Sequence, residues 1–531
     1  MTGSWTLLRF ILRRDRVRIP IWILAILITV VGTASIFPDT YPSDADRQAR
    51  ATLMENPAMR MMLGPLQGAE DYTFGAMMAS EMLGMMMIVV SLMSIFMVVR
   101  HTRAEEETGR AELVRSSVTG RYAGMTAVIV AVAGLNLLIG LLTAVGLTAT
   151  LPELDLTGSL VFGAALAVTG ISFGAIALVS VQLNEFSRAA SGMAVAIMIG
   201  TYVVRGFGDM LENWLMWAPI SGPVLQSAPY VDNLLWPLLI PIAIAGVLIP
   251  LAFWLSDQRD VAAALRPPRP GPATASPRLG MPFGLLFRLQ RGSLLSWGIG
   301  LLLFGMAYGS VVNEVGEQYA DNPMVSEYFA ALGLDVGELT ESIVAMIAMF
   351  MALLVSVYAV GTVTRLRGEE TSLRAENILA TAVSRIRWAG ESMVFGIVTS
   401  TFILGLTGVG AATFFALDSG SSSDFWMVLG AVMNYAPAIW LAVALAVAVF
   451  GIIPQAMSLA WFVPAYGFFA LMIGPLLGLP GWLYNISPFE YVPRVPSVDF
   501  DPVPLAVMTV IALGLILAGL IGIRRRDLSF V

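Results

Sequence analysis

Ionisable side chains are scarce in this chain, and the largest group that could do chemistry is written twice. Residues 100–124 read RHTRAEEETGRAELVRSSVTGRYAG and residues 364–390 read TRLRGEETSLRAENILATAVSRIRWAG. Glu106-Glu107-Thr108 matches Glu369-Glu370-Thr371, and Arg110-Ala111-Glu112 matches Arg374-Ala375-Glu376. Tyr122-Ala123-Gly124 closes the first copy as Trp388-Ala389-Gly390 closes the second. The chemistry such a block offers is recognition. Carboxylates and guanidiniums on one face of a short helix fix register and orientation against a complementary surface. An ordinary solvated loop explains the arginines but not the repeated acids or their spacing. The expected docking residues are Glu106, Glu107, Arg110 and Glu112, with Glu369, Glu370, Arg374 and Glu376, and the expected partner is itself doubled.

Other chemistries are excluded by residue type. There is no Cys, which removes disulfides, thiolate nucleophiles and Cys-ligated metals. All 30 basic residues are Arg. A P-loop needs a Lys to reach the nucleotide phosphates, so the chain holds no P-loop of its own. The single histidine, His101, cannot build a metal site and reads as a structural residue at a membrane edge. The expectation is a non-enzyme with no catalytic, cofactor-binding or metal residue and no nucleic-acid partner.

The elements that must carry the block are membrane spans. The chain is 57% hydrophobic and 13% charged over 531 residues, with a mean hydropathy of +0.78. Twelve apolar runs, near 19–37, 76–99, 123–150, 157–182, 188–204, 233–255, 294–312, 342–363, 389–416, 425–450, 455–475 and 503–523, are each long enough to cross a ~30 Å hydrocarbon core as a helix. The first follows arginines but has no clear cleavage site, and it reads as a retained span. With both termini inside, every arginine except Arg47, Arg50, Arg60, Arg205 and Arg494 falls on the cytoplasmic side, as the positive-inside rule requires. The loop 313–341, acidic and free of arginine, then lies outside. The fold class is therefore all-α, a polytopic membrane protein in a lipid bilayer.

A Pro-rich stretch, LRPPRPGPATASPRLGMP, cannot continue a helix and divides the chain. The expected domains are a first six-span half (1–257), a cytoplasmic linker (258–285) and a second six-span half (286–531). LLRFILRRDR before the first span corresponds to LLFRLQRGS before the seventh, Asn56-Pro57 with Leu63-Gly64 to Asn322-Pro323 with Leu332-Gly333, and WLMWAPISGP to WLYNISPFEYVP. An even number of spans per copy makes this a parallel repeat about an axis along the membrane normal, with a pathway between the halves. Residues 5–17 suit an interfacial amphipathic helix, with Trp5, Leu8 and Leu12 on one face and Arg9, Arg13 and Arg16 on another.

Within the spans, Met82, Met86, Met93 and Met97 recur on one face with Phe96 nearby, and the related eighth span has Met346, Met349 and Phe350. Pliable Met surfaces repack around varied apolar ligands, so these residues are the candidate substrate pathway, with plain helix packing as the competing reading. Glu81 and Glu341 open the second and eighth spans, and Trp214 and Trp482 follow the fifth and eleventh. These four are the candidate outer gate, the alternative for the acids being helix N-terminal carboxylates favoured by the dipole. Arg205 and Asp209 read as a local helix-end pair, and Pro437 is expected to kink the tenth span.

The strings RGEETSLRAENILATAVSR, WLYNISPFEYVP and DQRDVAAALRPPRPGPA leading to FRLQRGSLLSW, in this order and duplicated, resemble the membrane subunit of an ABC-2-type exporter. They are most similar to its fused twelve-span branch, the actinobacterial tetronasin and polyketide-antibiotic exporters. That resemblance implies that each charged block is a coupling helix seated on an ATPase subunit. It further implies two copies of one cytoplasmic ABC ATPase, or two related ones, that carry the ATP and Mg, and export of hydrophobic or amphipathic molecules across a bacterial inner membrane. Two other classes stay open: a proton-coupled secondary multidrug transporter, disfavoured by the shortage of acids within spans, and a non-transporting membrane scaffold.

Overall fold

A computed structural model describes residues 2–116, 118–259, 265, 274, 276–310, 312, 339–472 and 480–527. The described residues are helical with no strand, and they form two compact units, Met1–Gly271 and Pro272–Val531. Eleven helices among them are long and apolar enough to cross a bilayer. The acidic loop 313–338 with Asn322-Pro323 and Leu332-Gly333, and half of the linker 258–285, lie outside the described residues.

The first unit opens with α1 (Ser4–Arg14), which turns at Asp15 into α2 (Arg18–Thr40). Leu8 and Ile11 pack against the unit's core, whereas Trp5 and Leu12 are exposed. Two short helices, α3 (Asp44–Met54) and α4 (Pro57–Leu63), precede the helix of the second span. That helix starts as a turn at Phe74–Met77, passes through a π-helical turn at Met78–Met82 and continues as α5 (Leu83–His101). The charged loop folds into α6 (Arg103–Glu107) and α7 (Arg110–Arg115). Then come α8 (Ala123–Thr150), α9 (Leu156–Leu183), α10 (Ser187–Met210), the short α11 (Ser221–Leu225) and α12 (Leu239–Asp257). α8 and α9 cross backbone to backbone at Gly140 and Gly163, where a Cβ on either would meet the other's carbonyl. This is the small-residue packing that brings membrane helices close.

The second unit repeats the order with different joints. α13 (Pro282–Gly309) runs unbroken where the first unit bends between α1 and α2. α14 (Leu339–Thr371) carries its charged end without the break that Thr102 makes in the first unit. α15 (Arg374–Leu379), α16 (Arg385–Ser419), α17 (Ser422–Met433) and α18 (Ala436–Ile452) follow. The tenth span is broken at Asn434-Tyr435, just before Pro437, whose ring is accommodated in the first turn of α18. The eleventh apolar run, 455–475, is a 3-10 stretch over Pro454–Trp461 leading into α19 (Phe462–Met472), and 473–475 lie outside the described residues. α20 (Gly481–Tyr484) and α21 (Pro502–Arg525) complete the unit. In both units the second span is deeply packed, with 72% of its apolar window buried in each against 22% and 28% for the last span, and in the first unit α9 is buried further still, at 83%.

Candidate functional site

Each charged loop folds back onto the end of its own unit's last helix. In the first unit the Glu106 carboxylate takes both ends of the Arg259 guanidinium, at 2.8 Å and 2.8 Å, and one nitrogen of Arg103 at 2.6 Å. Arg259 lies just past α12 and also donates its Nε to Gln182 Oε1 at 2.6 Å. In the second unit the Glu370 carboxylate takes both ends of Arg526, at 2.7 Å and 3.0 Å, and Arg367 approaches at 3.4 Å. Arg526 lies just past α21, and its guanidinium stacks over Phe450 at 4.8 Å. Bidentate guanidinium–carboxylate pairs are the strongest and most directional side-chain contacts available to these residues.

The two clamps correct the register of the repeat. Glu106 corresponds to Glu370, Arg103 to Arg367 and Arg110 to Arg374, an ungapped alignment of RAEEETGRAE with RGEETSLRAE. Glu106-Glu107-Thr108 therefore does not match Glu369-Glu370-Thr371 as the string EET suggested. The turn geometry agrees. The Gly109 N–H donates to Glu106 O at 3.1 Å and the Leu373 N–H to Glu370 O at 3.2 Å. Both Gly109 (φ +71°) and Leu373 (φ +62°) sit in the left-handed region immediately before the second short helix. A second tie repeats as well. Arg121 reaches Asp257, with side-chain oxygen at 3.1 Å, and Arg385 donates to the Arg526 carbonyl at 2.8 Å. Sequence reasoning missed Arg103, Arg259, Arg367 and Arg526. The signal was present, since Arg259-Asp260 closes one half as Arg526-Asp527 closes the other.

The expected docking residues thus separate by environment. Glu106 and Glu370 are interior clamp residues, with side chains 7% and 0% exposed. Glu107 is exposed and accepts the Ser187 N–H at 3.2 Å, placing a carboxylate at the N-terminus of α10, where the helix dipole favours it. Glu369 is half-buried beside Trp388 in a small cleft with Leu286, Leu289 and Glu391. Arg110, Glu112, Arg374 and Glu376 are exposed on α7 and α15, and Arg110 only approaches Glu105, at 3.9 Å. One further link belongs to the first unit: α1 is joined to the loop by Arg14–Glu105, and Asp15 pairs with His101 and, at 3.4 Å, with Arg100. His101 is the structural residue its position suggested.

At the opposite end of the second span, the π-helical turn aims Glu81 at Arg50, with contacts of 2.7 Å and 3.1 Å, and Tyr72 Oη donates to Glu81 at 3.1 Å. Burial and the neighbouring Glu81 charge push the Tyr72 phenol above its ordinary range, so it stays a donor. Glu341 lies half-buried in the first turn of α14. Trp214 and Trp482 are exposed, on a 3-10 turn after α10 and on α20. Arg205 and Asp209 are more than a helix-end pair. Arg205 is fully buried, 2.6 Å from Asp209, and donates to the Arg60 and Met61 carbonyls at 3.2 Å and 3.1 Å, capping the C-terminus of α4. Near α20, burial raises the Glu490 carboxyl above its usual range even though Arg494 pairs with it.

The methionines are divided. Met82, Met86, Met93 and Met97 are buried in the first unit's core, and Phe96 is half exposed. In the second unit Met349 is buried, while Met346 and Phe350 pack against its core, Phe350 between Phe304 and Phe468. Among the described residues no group of acids and histidine could hold a metal ion.

The chain was compared with known proteins. The family model described as "Multidrug efflux system permease Rv1217c, C-terminal domain" matches residues 6–255 and 279–524. The chain is 38% identical to the multidrug efflux system permease protein Rv1217c of Mycobacterium tuberculosis (strain ATCC 25618 / H37Rv), over 99% of this chain and 95% of that protein.

Proposed function

Because the chain belongs to the Rv1217c-type family of multidrug efflux system permeases, we propose that its two charged loops are the points where a separate ATPase drives it. It is a multi-pass membrane permease of a drug-efflux system. On this reading twelve spans form two parallel six-helix repeats with both termini in the cytoplasm. Two ABC ATPase subunits, alike or related, carry ATP and Mg and dock on α7 and α15. Closure of the ATPases pushes each loop, and the clamp passes that push to the last helix of the same unit, so a rigid-body change exposes an amphipathic cargo to the far side. The cargo would be drug-like and apolar, as in the ABC-2-type tetronasin branch.

The observation that carries the reading is the doubled clamp. A loop that only obeyed topology rules would not need a buried bidentate tie to a distant helix in both units. On this reading the exposed Arg110, Glu112, Arg374 and Glu376 meet the partner, and the paired Glu106 and Glu370 transmit.

Co-purification from the host tests this. Charge reversal at the exposed sites, Glu112→Arg with Glu376→Arg, should release a P-loop ATPase that accompanies the wild-type chain, with thermal stability unchanged. Substitution of Glu370 would be a poor reporter, since it also strips the half-buried Arg526 guanidinium of its partner. An ATPase that never accompanies the chain in mild detergent sinks the reading. Drug efflux abolished by collapsing the proton gradient at constant ATP would then favour the secondary-transporter alternative.

A further inference from the structure

A cavity of about 250 Å³ opens in the first unit where α1 turns into α2. Its apolar wall is Trp22, Met93, Phe96, Met97 and Leu135, and its polar edge is Asp15, Arg18 and Arg100. It is distinct from the charged loop, and none of its lining residues belongs to the clamp. Asp15 is already engaged by His101 and Arg100. Arg18 is exposed, and among the described residues no ion pair is formed to it. The edge therefore carries an excess of guanidinium over carboxylate, beside a wall that is otherwise greasy and, at Met93 and Met97, pliable.

Ligand sites are concave, mostly apolar and fixed in orientation by a few polar groups, usually in clefts of about 300–1,000 Å³. This one is slightly smaller and suits one ring or a short alkyl chain rather than a whole drug. We propose that the cavity binds amphipathic anions, the apolar body lying against Trp22, Met93, Phe96 and Met97 and the anionic group meeting Arg18 and Arg100. Guanidinium is the side chain best matched to a carboxylate or phosphate, and Arg18 is the first residue of α2, a helix long and apolar enough to cross a bilayer. Two sources share that chemistry, an anionic phospholipid of the membrane and a drug-like organic acid. The inference concerns binding alone and does not depend on what powers the permease.

Trp22 supplies the readout. The full chain in phosphatidylcholine nanodiscs is titrated with terminally brominated dodecanoate, which quenches indoles it touches. Exposed indoles such as Trp5, Trp214 and Trp482 are quenched by partitioned probe in a non-saturating way, so the readout is the saturable component, which should be lost in Trp22→Phe. Arg18→Gln should weaken it about tenfold, the usual worth of a hydrogen bond to a charged group. Arg18 is exposed, so the variant keeps its fold, and Arg16→Gln, which removes the same charge two residues away without lining the cavity, should bind as wild type. Competition by added phosphatidylglycerol identifies a membrane lipid as the resident ligand, and its absence identifies a non-lipid acid. Equal quenching of Trp22 by brominated dodecyltrimethylammonium, or Arg18→Gln binding like wild type, overturns the proposal, and neither result touches the permease reading.

Discussion

The two clamps use the same residues in the same register, yet they are insulated differently. In the first unit Arg103 is 1% exposed and Arg259 7%, and Gln182 occupies the remaining edge of the guanidinium. In the second, Arg367 is 23% exposed and Arg526 14%, and an aromatic face replaces the amide. The joints follow the same contrast. The first loop is broken from its span at Thr102 and braced by α1 through Arg14–Glu105, whereas the second grows straight out of α14. A duplicated contact has thus been kept while its supports diverged. The shared part, acid to terminal arginine, is the part the two halves need in common.

The largest effect should come from removing each acid. Glu106→Ala leaves two almost fully buried guanidiniums without their carboxylate, and breaking a buried pair in this way costs about 3–5 kcal/mol. Glu370→Ala leaves partners that water can reach, and the cost should fall to about 1–3 kcal/mol, nearer that of a single lost charged hydrogen bond. Reversible unfolding of the full chain in mixed micelles measures both. Equal costs would mean that exposure of the arginines does not set the difference between the units.

That contrast marks how far the sequence could be read. Helical class and most of the spans were legible because length and hydropathy are one-dimensional properties, whereas the turn at Asp15 fell inside the helix expected over residues 5–17. The eleventh run was read as one helix because hydropathy is blind to the 3-10 stretch that begins at Pro454. In the charged loops the residue types were legible and their roles were not. Two adjacent glutamates are equivalent on paper, and only the position of α12 or α21 decides which one is clamped. Arg259 and Arg526 looked like orientation signals, because an arginine after a span is expected on topological grounds alone.

A smaller effect should separate the edges of the two guanidiniums. Arg526→Lys loses the fork and the stack on Phe450, and a double-mutant cycle with Phe450→Leu should show a coupling of about 0.5–2 kcal/mol. Arg259→Lys should couple instead to Gln182→Met, by about 1 kcal/mol, and not to any aromatic residue. Absence of coupling at Phe450 would leave the carboxylate as the sole anchor of Arg526.

The smallest effect concerns the turn between each clamp and the short helix after it, and there the two units should respond with opposite signs. Gly109 and Leu373 hold the same left-handed conformation, but only glycine adopts it without strain. Nothing lies within 4 Å of a Cβ built on Gly109, so Gly109→Ala tests backbone strain alone and should destabilise by about 1 kcal/mol. Leu373→Gly relieves that strain in the second unit and gives back part of it as chain entropy, for a net gain of about 0.5 kcal/mol. Leu373 is 47% exposed, so little packing is lost with its side chain. Amide hydrogen exchange in α7 and α15 reads the outcome locally, with protection falling in α7 for the first variant and rising in α15 for the second. Should Leu373→Gly instead lower protection in α15, the leucine side chain is holding that helix in place, and the second loop is stiffened by a contact that the first loop does without.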